Sequence, residues 1–256
     1  MSREDPDVID SVEKALRLLQ SFSGEAPAMS VSEAAAATGL TRATARRLLL
    51  TFERLGFAET DGRRFQLTPR VLRLGYGYLA ALPFWEHAQS HMRALSDEVK
   101  ESSSLATLDG GEIVYVARVP ASRMMTITFN VGSRLPAYPT SMGRVLLAAL
   151  PPAELESYLD TTELKRLTAT TITDRAKLEA ELARVAEQGY ALVDGEREEG
   201  VRSAAAPVRN AAGGVIAALN VSANAARVSV AKLREEFVPR LLETADAITK
   251  DIAGLH

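Results

Sequence analysis

Residues 30–68 constrain this chain more than any other stretch, because two helix starts, two helix stops and a hairpin turn follow one another without a gap. Ser30 with Glu33 three positions on is a capping box, in which a serine oxygen and a glutamate carboxylate each satisfy a free backbone N–H at a helix start. A short helix therefore begins near Val31, runs through Ala34–Ala37 and stops at Thr38-Gly39, where glycine takes the left-handed cap. Leu40 plugs the turn and Thr41 supplies a second N-cap. Ala45, Leu48, Leu49, Phe52 and Leu55 then recur with the period of a helix that buries one face. After Gly56, the runs Phe57–Glu59 and Arg64–Leu67 flank an Asp61-Gly62 turn and predict a hairpin. Two helices joined by a short turn and followed by a hairpin describe a winged helix-turn-helix, whose second helix enters the major groove of duplex DNA. The candidate DNA-binding residues are Arg42, Ala43, Thr44, Arg46 and Arg47 at the start of that helix, with Arg63 and Arg64 at the tip of the wing. Arginine forks suit both guanine edges and phosphates, and the sequence leaves open which arginine does which. A plain corner of a helical bundle would share the two helices; the hairpin and its arginines argue against it.

Charge is distributed to match. The whole chain carries −3, yet residues 26–80 hold 8 Arg or Lys against 4 Asp or Glu, while residues 81–256 hold 19 against 23. A basic module joined to an acidic one is the expected pattern for a DNA reader with a sensing domain. The local excess is small, so pairing of two copies is expected to help affinity. A length of 256 residues suits two domains, and 46% apolar composition fills two cores. There is no apolar run long enough to span a bilayer, and Met1–Asp10 is acidic and polar rather than leader-like, so a soluble, cytoplasmic chain is expected. With no cysteine, disulfides and thiolate metal sites are excluded.

Ahead of the reader, residues 11–23 predict a helix with Val12, Ala15, Leu16, Leu19 and Phe22 on one face. Thr68–Ala81 predicts a further helix, weakened by Gly75 and Gly77 and ended by Pro83, and is the candidate linker. Beyond it the pattern predicts a helix over 84–100, strands over 104–108, 112–119 and 126–130, helices over 142–150, 152–159 and 174–188, strands over 191–194, 203–209 and 215–222, and a closing helix over 230–253. Strands in hairpins between flanking helices imply an α+β domain around one antiparallel sheet.

The segments SVEKALRLLQSF, TGLTRATARRLLLTFERLGF, SMGRVLLAAL and GYALVDGEREEGVRSAAAPVRNAAGGVIAALNVSANAARVS resemble, in this order, the IclR family of bacterial transcriptional regulators. VGSRLPAYPTSMGRVLLA further resembles the subgroup regulating catabolism of aromatic acids such as protocatechuate and 4-hydroxybenzoate through the β-ketoadipate pathway. The resemblance implies a winged helix-turn-helix domain over residues 1–68, a linker helix over 69–83 and a GAF/PAS-like antiparallel-sheet effector domain over 84–256. It also implies a homodimer or dimer of dimers that binds double-stranded operator DNA and a small organic acid. By motif alignment the effector-binding positions fall near Met124, Ser141, Met142, Val193, Asp194, Ser203, Asn220 and Ser222. Asn220 and Ser222 alternate on one predicted strand and so share a face, and the backbone N–H groups near Met142 begin a helix, an anion-binding feature. Glyoxylate-type relatives have an acid at the position of Val193 and a serine at that of Asn220, so a larger or aromatic ligand is implied here.

Arg118 and Arg134 are each suited to pair a ligand carboxylate or to sit solvated on the surface, and Tyr138 to stack on a ligand or to pack in a core. Arg134 and Tyr138 complete the effector-site candidates. His87 and His91, four apart on a helix, have metal spacing but no third ligand nearby, and the run Asp194, Glu196, Glu198 and Glu199 reads as a loop of solvated or ion-paired acids. No cofactor, metal or nucleophile-base set is expected, and so no enzyme. The competing function is a small-molecule-binding or hydrolytic protein whose N-terminal module makes protein contacts only.

Overall fold

The computed structural model of the chain describes residues 7–82, 85–121 and 129–254, the side chains of 85–87 excepted. The chain divides into two compact units, Met1–Ala81 and Leu82–His256. The expected strand over 126–130 falls mostly on residues outside those described.

In the first unit, α1 (Asp10–Gln20), α2 (Val31–Thr38) and α3 (Arg42–Leu55) surround a small sheet of β1 (Ala28–Met29), β2 (Ala58–Thr60) and β3 (Phe65–Leu67), in the order β1-β3-β2. Both arms of the capping box form: Glu33 N–H donates to Ser30 Oγ and Ser30 N–H to Glu33 Oε2, while Thr41 accepts from Thr44 N–H at the start of α3. Gly39 and Gly56 end α2 and α3 at φ 69° and 76°, a backbone region that favours glycine. The core is Leu18, Met29, Ala34, Leu49, Phe52, Ala58 and Phe65. Two expectations need correcting. Leu55 is 52% exposed, and α1 packs through Ala15, Leu18, Leu19 and Phe22 rather than through Val12 and Leu16, which are half exposed. The spacing 15, 18, 19, 22 is a full helical stripe; Val12 and Leu16 belong to a second stripe that this unit leaves uncovered. The linker begins with a 3-10 turn (Pro69–Val71) capped by Thr68 before α4 (Leu72–Ala81), none of whose residues is buried.

The second unit is built on a six-stranded antiparallel sheet, β6-β5-β4-β9-β8-β7. Its strands are β4 (Ser102–Asp109), β5 (Glu112–Val119), β6 (Arg134–Pro136), β7 (Ala191–Asp194), β8 (Val201–Arg209) and β9 (Val215–Asn224). On one face pack α5 (Trp85–Val99) and α10 (Val238–Ala253); on the other, α6 (Ser141–Ala148), with α8 (Arg175–Gln188) against it. α7 (Pro152–Thr161) adds Tyr158 and Leu159 to the core beneath α6 and α8. The expected closing helix is three pieces, α9 (Val230–Lys232), a π turn over Leu233–Phe237 and α10. Pro239 explains the break, since it lacks the N–H that an unbroken α-helix would use there. Among the described residues no helix is long and apolar enough to cross a membrane.

Candidate nucleic-acid interface and ligand cavity

In the first unit the exposed start of α3 carries Arg42, Ala43, Arg46 and Arg47, with Thr44 half-buried beside its Oγ1 partner Thr41 at 2.9 Å. Ala45, Leu49 and Phe52 hold the helix in the core, while all three arginines are exposed. The wing turn is set by Asp61, whose Oδ1 accepts from Arg63 N–H at 2.8 Å and Arg64 N–H at 2.7 Å; these bonds hold its carboxyl below the usual carboxylate range. Gly62 completes the turn at φ 92°. The two wing arginines differ. Arg64 donates to Ala28 O at 2.5 Å and pairs with Glu33 at 3.2 Å, tying the wing to β1 and to the cap of α2, whereas Arg63 stays exposed at the tip.

In the second unit a cavity of about 680 Å³, counting its mouth, opens between the sheet and the N-terminus of α6. Strand alternation builds its floor. Ser102, Ser222, Ser203 and Val193 stand in one cross-strand row; Arg118, Ser104, Asn220 and Ala205 stand in the next. Small side chains on this face leave the space that the cavity fills. Arg118 reaches it through an irregularity: Ala117 pairs with Leu105 but Tyr115 with Ala106, so Val116 is an extra residue on β5. In a regular strand Arg118 and Tyr115, three apart, would face opposite ways; the bulge turns both into the cavity.

Tyr115 and Phe129 form an aromatic wall, centroids 5.5 Å apart, and the Arg197 guanidinium lies 4.7 Å over Phe129. Burial pushes the Tyr115 hydroxyl up to about 12 despite the opposing pull of Arg118 and Arg197, so it stays a neutral donor at ordinary pH. Arg197 pairs with Glu198 at 3.1 Å, and no ion pair holds Arg118 among the described residues. Across from the floor, Thr140 caps α6, Ser141 Oγ donates to Ser203 Oγ at 2.9 Å, and Met142 lines the wall. The first N–H groups of a helix have no partner within it, so this turn offers donors to an anion.

The turn is held tightly. A Cβ on Gly143 would lie 2.0 Å from Ala137 O, so residues 137–140 can cross the helix only because position 143 is glycine. Arg144, 1% exposed, donates from Nε to Tyr138 O and bonds Glu196 at 2.5 Å; Glu196 also accepts from Ile172 N–H. This buried pair ties α6 to the loop bearing Arg197 and Glu198.

Of the candidates read from the sequence, Ser141, Met142, Ser203, Asn220 and Ser222 line this one cavity, as do Val193 and Arg118. Three others lie elsewhere. Arg134 is held at the exposed sheet edge by Asp109 (2.6 Å) and Glu112 (2.8 Å), the two residues that close the β4–β5 hairpin. Asp194 follows Val193 by one residue, so its side chain faces the other way and pairs with Arg202 at 2.5 Å. Tyr138 packs in the core with its hydroxyl donating to Lys165 O at 2.6 Å. Met124 lies outside the described residues, as does the side chain of His87; His91 bonds Asp251 at 2.8 Å. Ser102, Ser104, Tyr115, Phe129 and Arg197 were not anticipated. The triplet Ser102–Ser104 on an otherwise apolar strand was a usable signal, since buried serines need partners.

A basic helix-turn-helix with a wing, followed by an α+β unit with a cation-lined cavity, defines a regulator that reads DNA and answers to a small molecule. Residues 11–62 match the IclR helix-turn-helix domain, and residues 76–250 match the bacterial transcriptional regulator IclR C-terminal domain. The chain belongs to the IclR family of DNA-binding transcriptional regulators and is not an enzyme. It is 39% identical to the Pca regulon regulatory protein of Pseudomonas putida, over 98% of this chain and 86% of that one. A putative transcriptional regulator from Rhodococcus sp. RHA1 has a crystal structure similar at 48% identity and TM-score 0.87, covering 97% of this chain and 100% of the other. An IclR homologue from Microbacterium hydrocarbonoxydans, complexed with 4-hydroxybenzoate, is similar at 27% identity and TM-score 0.85, covering 95% and 99%.

Proposed function

We propose that this protein controls genes for the breakdown of aromatic or related organic acids, and that such an acid binds the cavity beneath α6 as effector. The observation that carries the reading is the cavity itself: an aromatic wall, an arginine with no ion pair among the described residues and a helix N-terminus converge on a polar floor. Kinship with the Pca regulon protein and with the 4-hydroxybenzoate complex supports the aromatic assignment. Residues 1–68 act as the DNA-binding domain, 69–83 as linker and 84–256 as effector domain, a division supported by the two matched segments. Arg42, Ala43, Thr44, Arg46, Arg47 and Arg63 meet the operator, while Arg64 chiefly braces the wing. The working form is a cytoplasmic homodimer or dimer of dimers. The uncovered apolar side chains of α1 and α4, among them Val12, Leu16, Leu72 and Leu74, support self-association.

The test is thermal unfolding of the full chain against protocatechuate, 4-hydroxybenzoate, β-ketoadipate, pyruvate and glyoxylate. A ligand at a hundred times its dissociation constant stabilises its domain by about 2.7 kcal/mol, a rise of several degrees. A rise with an aromatic acid or β-ketoadipate alone is expected; no rise with any of them overturns the effector assignment.

A further inference from the structure

Residues 195–200 join β7 to β8 and carry Arg197 and Glu198 to the cavity on a loop bounded by glycine at both ends, Gly195 at φ 69° and Gly200 at φ 78°. Glycine restrains a backbone least, so such a loop needs an external hold. Residue 196 supplies it. The Glu196 carboxylate, in a residue 8% exposed, accepts from Arg144 on α6 at 2.5 Å and from Ile172 N–H at 3.1 Å. Its backbone oxygen accepts from Thr171 Oγ1 at 2.6 Å and Thr168 Oγ1 at 3.1 Å. The next two side chains, Arg197 and Glu198, are by contrast about a third exposed.

Stability does not account for the pair. Taking two charges out of water costs about as much as their attraction returns, so a buried ion pair adds little over apolar groups of the same size. What it adds is a fixed geometry. Arg144 sits on α6, whose first turn lines the cavity, and Glu196 directly precedes two lining residues, yet neither member of the pair is among the described lining. We infer that Glu196 is a positioning residue: held on Arg144, it locks the loop to α6 and sets where Arg197 and Glu198 stand before a ligand arrives. A lining ordered in advance loses less freedom on binding.

The test is a variant that removes both charges at once, Arg144→Met with Glu196→Gln, which strands neither partner and keeps an acceptor for Ile172 N–H. Its unfolding midpoint should stay within a few degrees of wild type. Trypsin cleavage after Arg197, followed by mass spectrometry against cuts in the first unit as internal reference, should nonetheless quicken at least about tenfold. Binding of 4-hydroxybenzoate, measured by calorimetry, should weaken about tenfold; this readout alone rests on the effector reading above. Unchanged cleavage at Arg197, unchanged acid binding, or losses that only follow a lowered midpoint overturn the inference. If the double variant does not fold, Glu196→Gln alone takes its place, with cleavage at least about threefold faster expected and an unchanged rate overturning the inference. If the acid fails to bind even the wild type, the effector reading falls and cleavage at Arg197 decides the positioning role.

Discussion

Gly143 shows how a single hydrogen atom sets the roof of the cavity. Its missing side chain lets the Ala137 carbonyl cross the first turn of α6, and a methyl group there would overlap that oxygen at 2.0 Å. Gly143→Ala is therefore expected to destabilise the second unit by about 3 kcal/mol or more, at the upper end of overpacking costs. Urea unfolding checks it, and a loss under 0.5 kcal/mol would mean that the crossing segment moves aside freely. Arg64 and Arg46 differ in the same concrete way. Arg46 stands exposed on α3, whereas Arg64 is spent on Ala28 O and Glu33. Arg46→Ala should weaken operator binding by about 1–3 kcal/mol if it reads a base. Arg64→Ala should lower the unfolding midpoint of the first unit as well as DNA affinity, and anisotropy titrations beside thermal unfolding separate the two. Several cavity-lining residues were readable in the sequence because alternation put Asn220 and Ser222 on one face. Asp194 and Arg134 were not, because their nearest opposite charges come from neighbouring strands, and strand pairing is not visible in a single stretch of sequence.

At the scale of elements, the starts of the reader's helices and the turn of its hairpin were written plainly in the sequence, because a cap needs particular residues at particular spacings. The same caps carry a pH response. Bonds from Ser30 and the charge of Arg64 lower the Glu33 carboxyl from its usual 4.5, and bonds from Arg64 and Arg63 lower Asp61 from 3.8. Both groups are more acidic folded than unfolded, so their contribution is present above those ordinary values and fades as pH falls through the lowered ones. Amide protection in α2 and the wing, taken relative to intrinsic exchange at each pH, should thus fall below about pH 4.5, and Glu33→Gln should flatten the response in α2. An unchanged profile in that variant would remove Glu33 as its source. The faces of α1 were harder to read, since two apolar stripes run along it and only tertiary packing chooses the one holding Leu18. The break in the closing helix was signalled by Pro239 and by nothing else.

For the molecule as a whole, the excess of basic residues in the reader and of acidic residues in the rest is a statement about partners. Binding that rests on Arg42, Arg46, Arg47 and Arg63 releases counter-ions from DNA, so log affinity should fall linearly with log salt, by close to 0.9 per phosphate neutralised. Arg63→Ala should reduce that slope by about one if the wing tip meets a phosphate; an unchanged slope would take it off the interface. Effector and operator are also linked: if the acid alters operator affinity by some factor, the operator must alter acid affinity by the same factor. Titrating the acid into free and operator-bound protein measures both sides, and equal affinities would remove any allosteric link between the two modules. The division into two modules could be read from charge and pattern, whereas the cavity depended on long-range strand order that brings β4 between β5 and β9.

The extra residue at Val116 lets Tyr115 and Arg118, three apart in the chain, share one face of the sheet. Parity along this strand is thus a local property that one residue can reset. Deleting Val116 would leave the two side chains two apart in a regular strand and still on the cavity face. A one-codon deletion is therefore expected to keep acid binding where Arg118→Ala weakens it, and calorimetry on the two side by side would tell a change in chain length from a loss of charge.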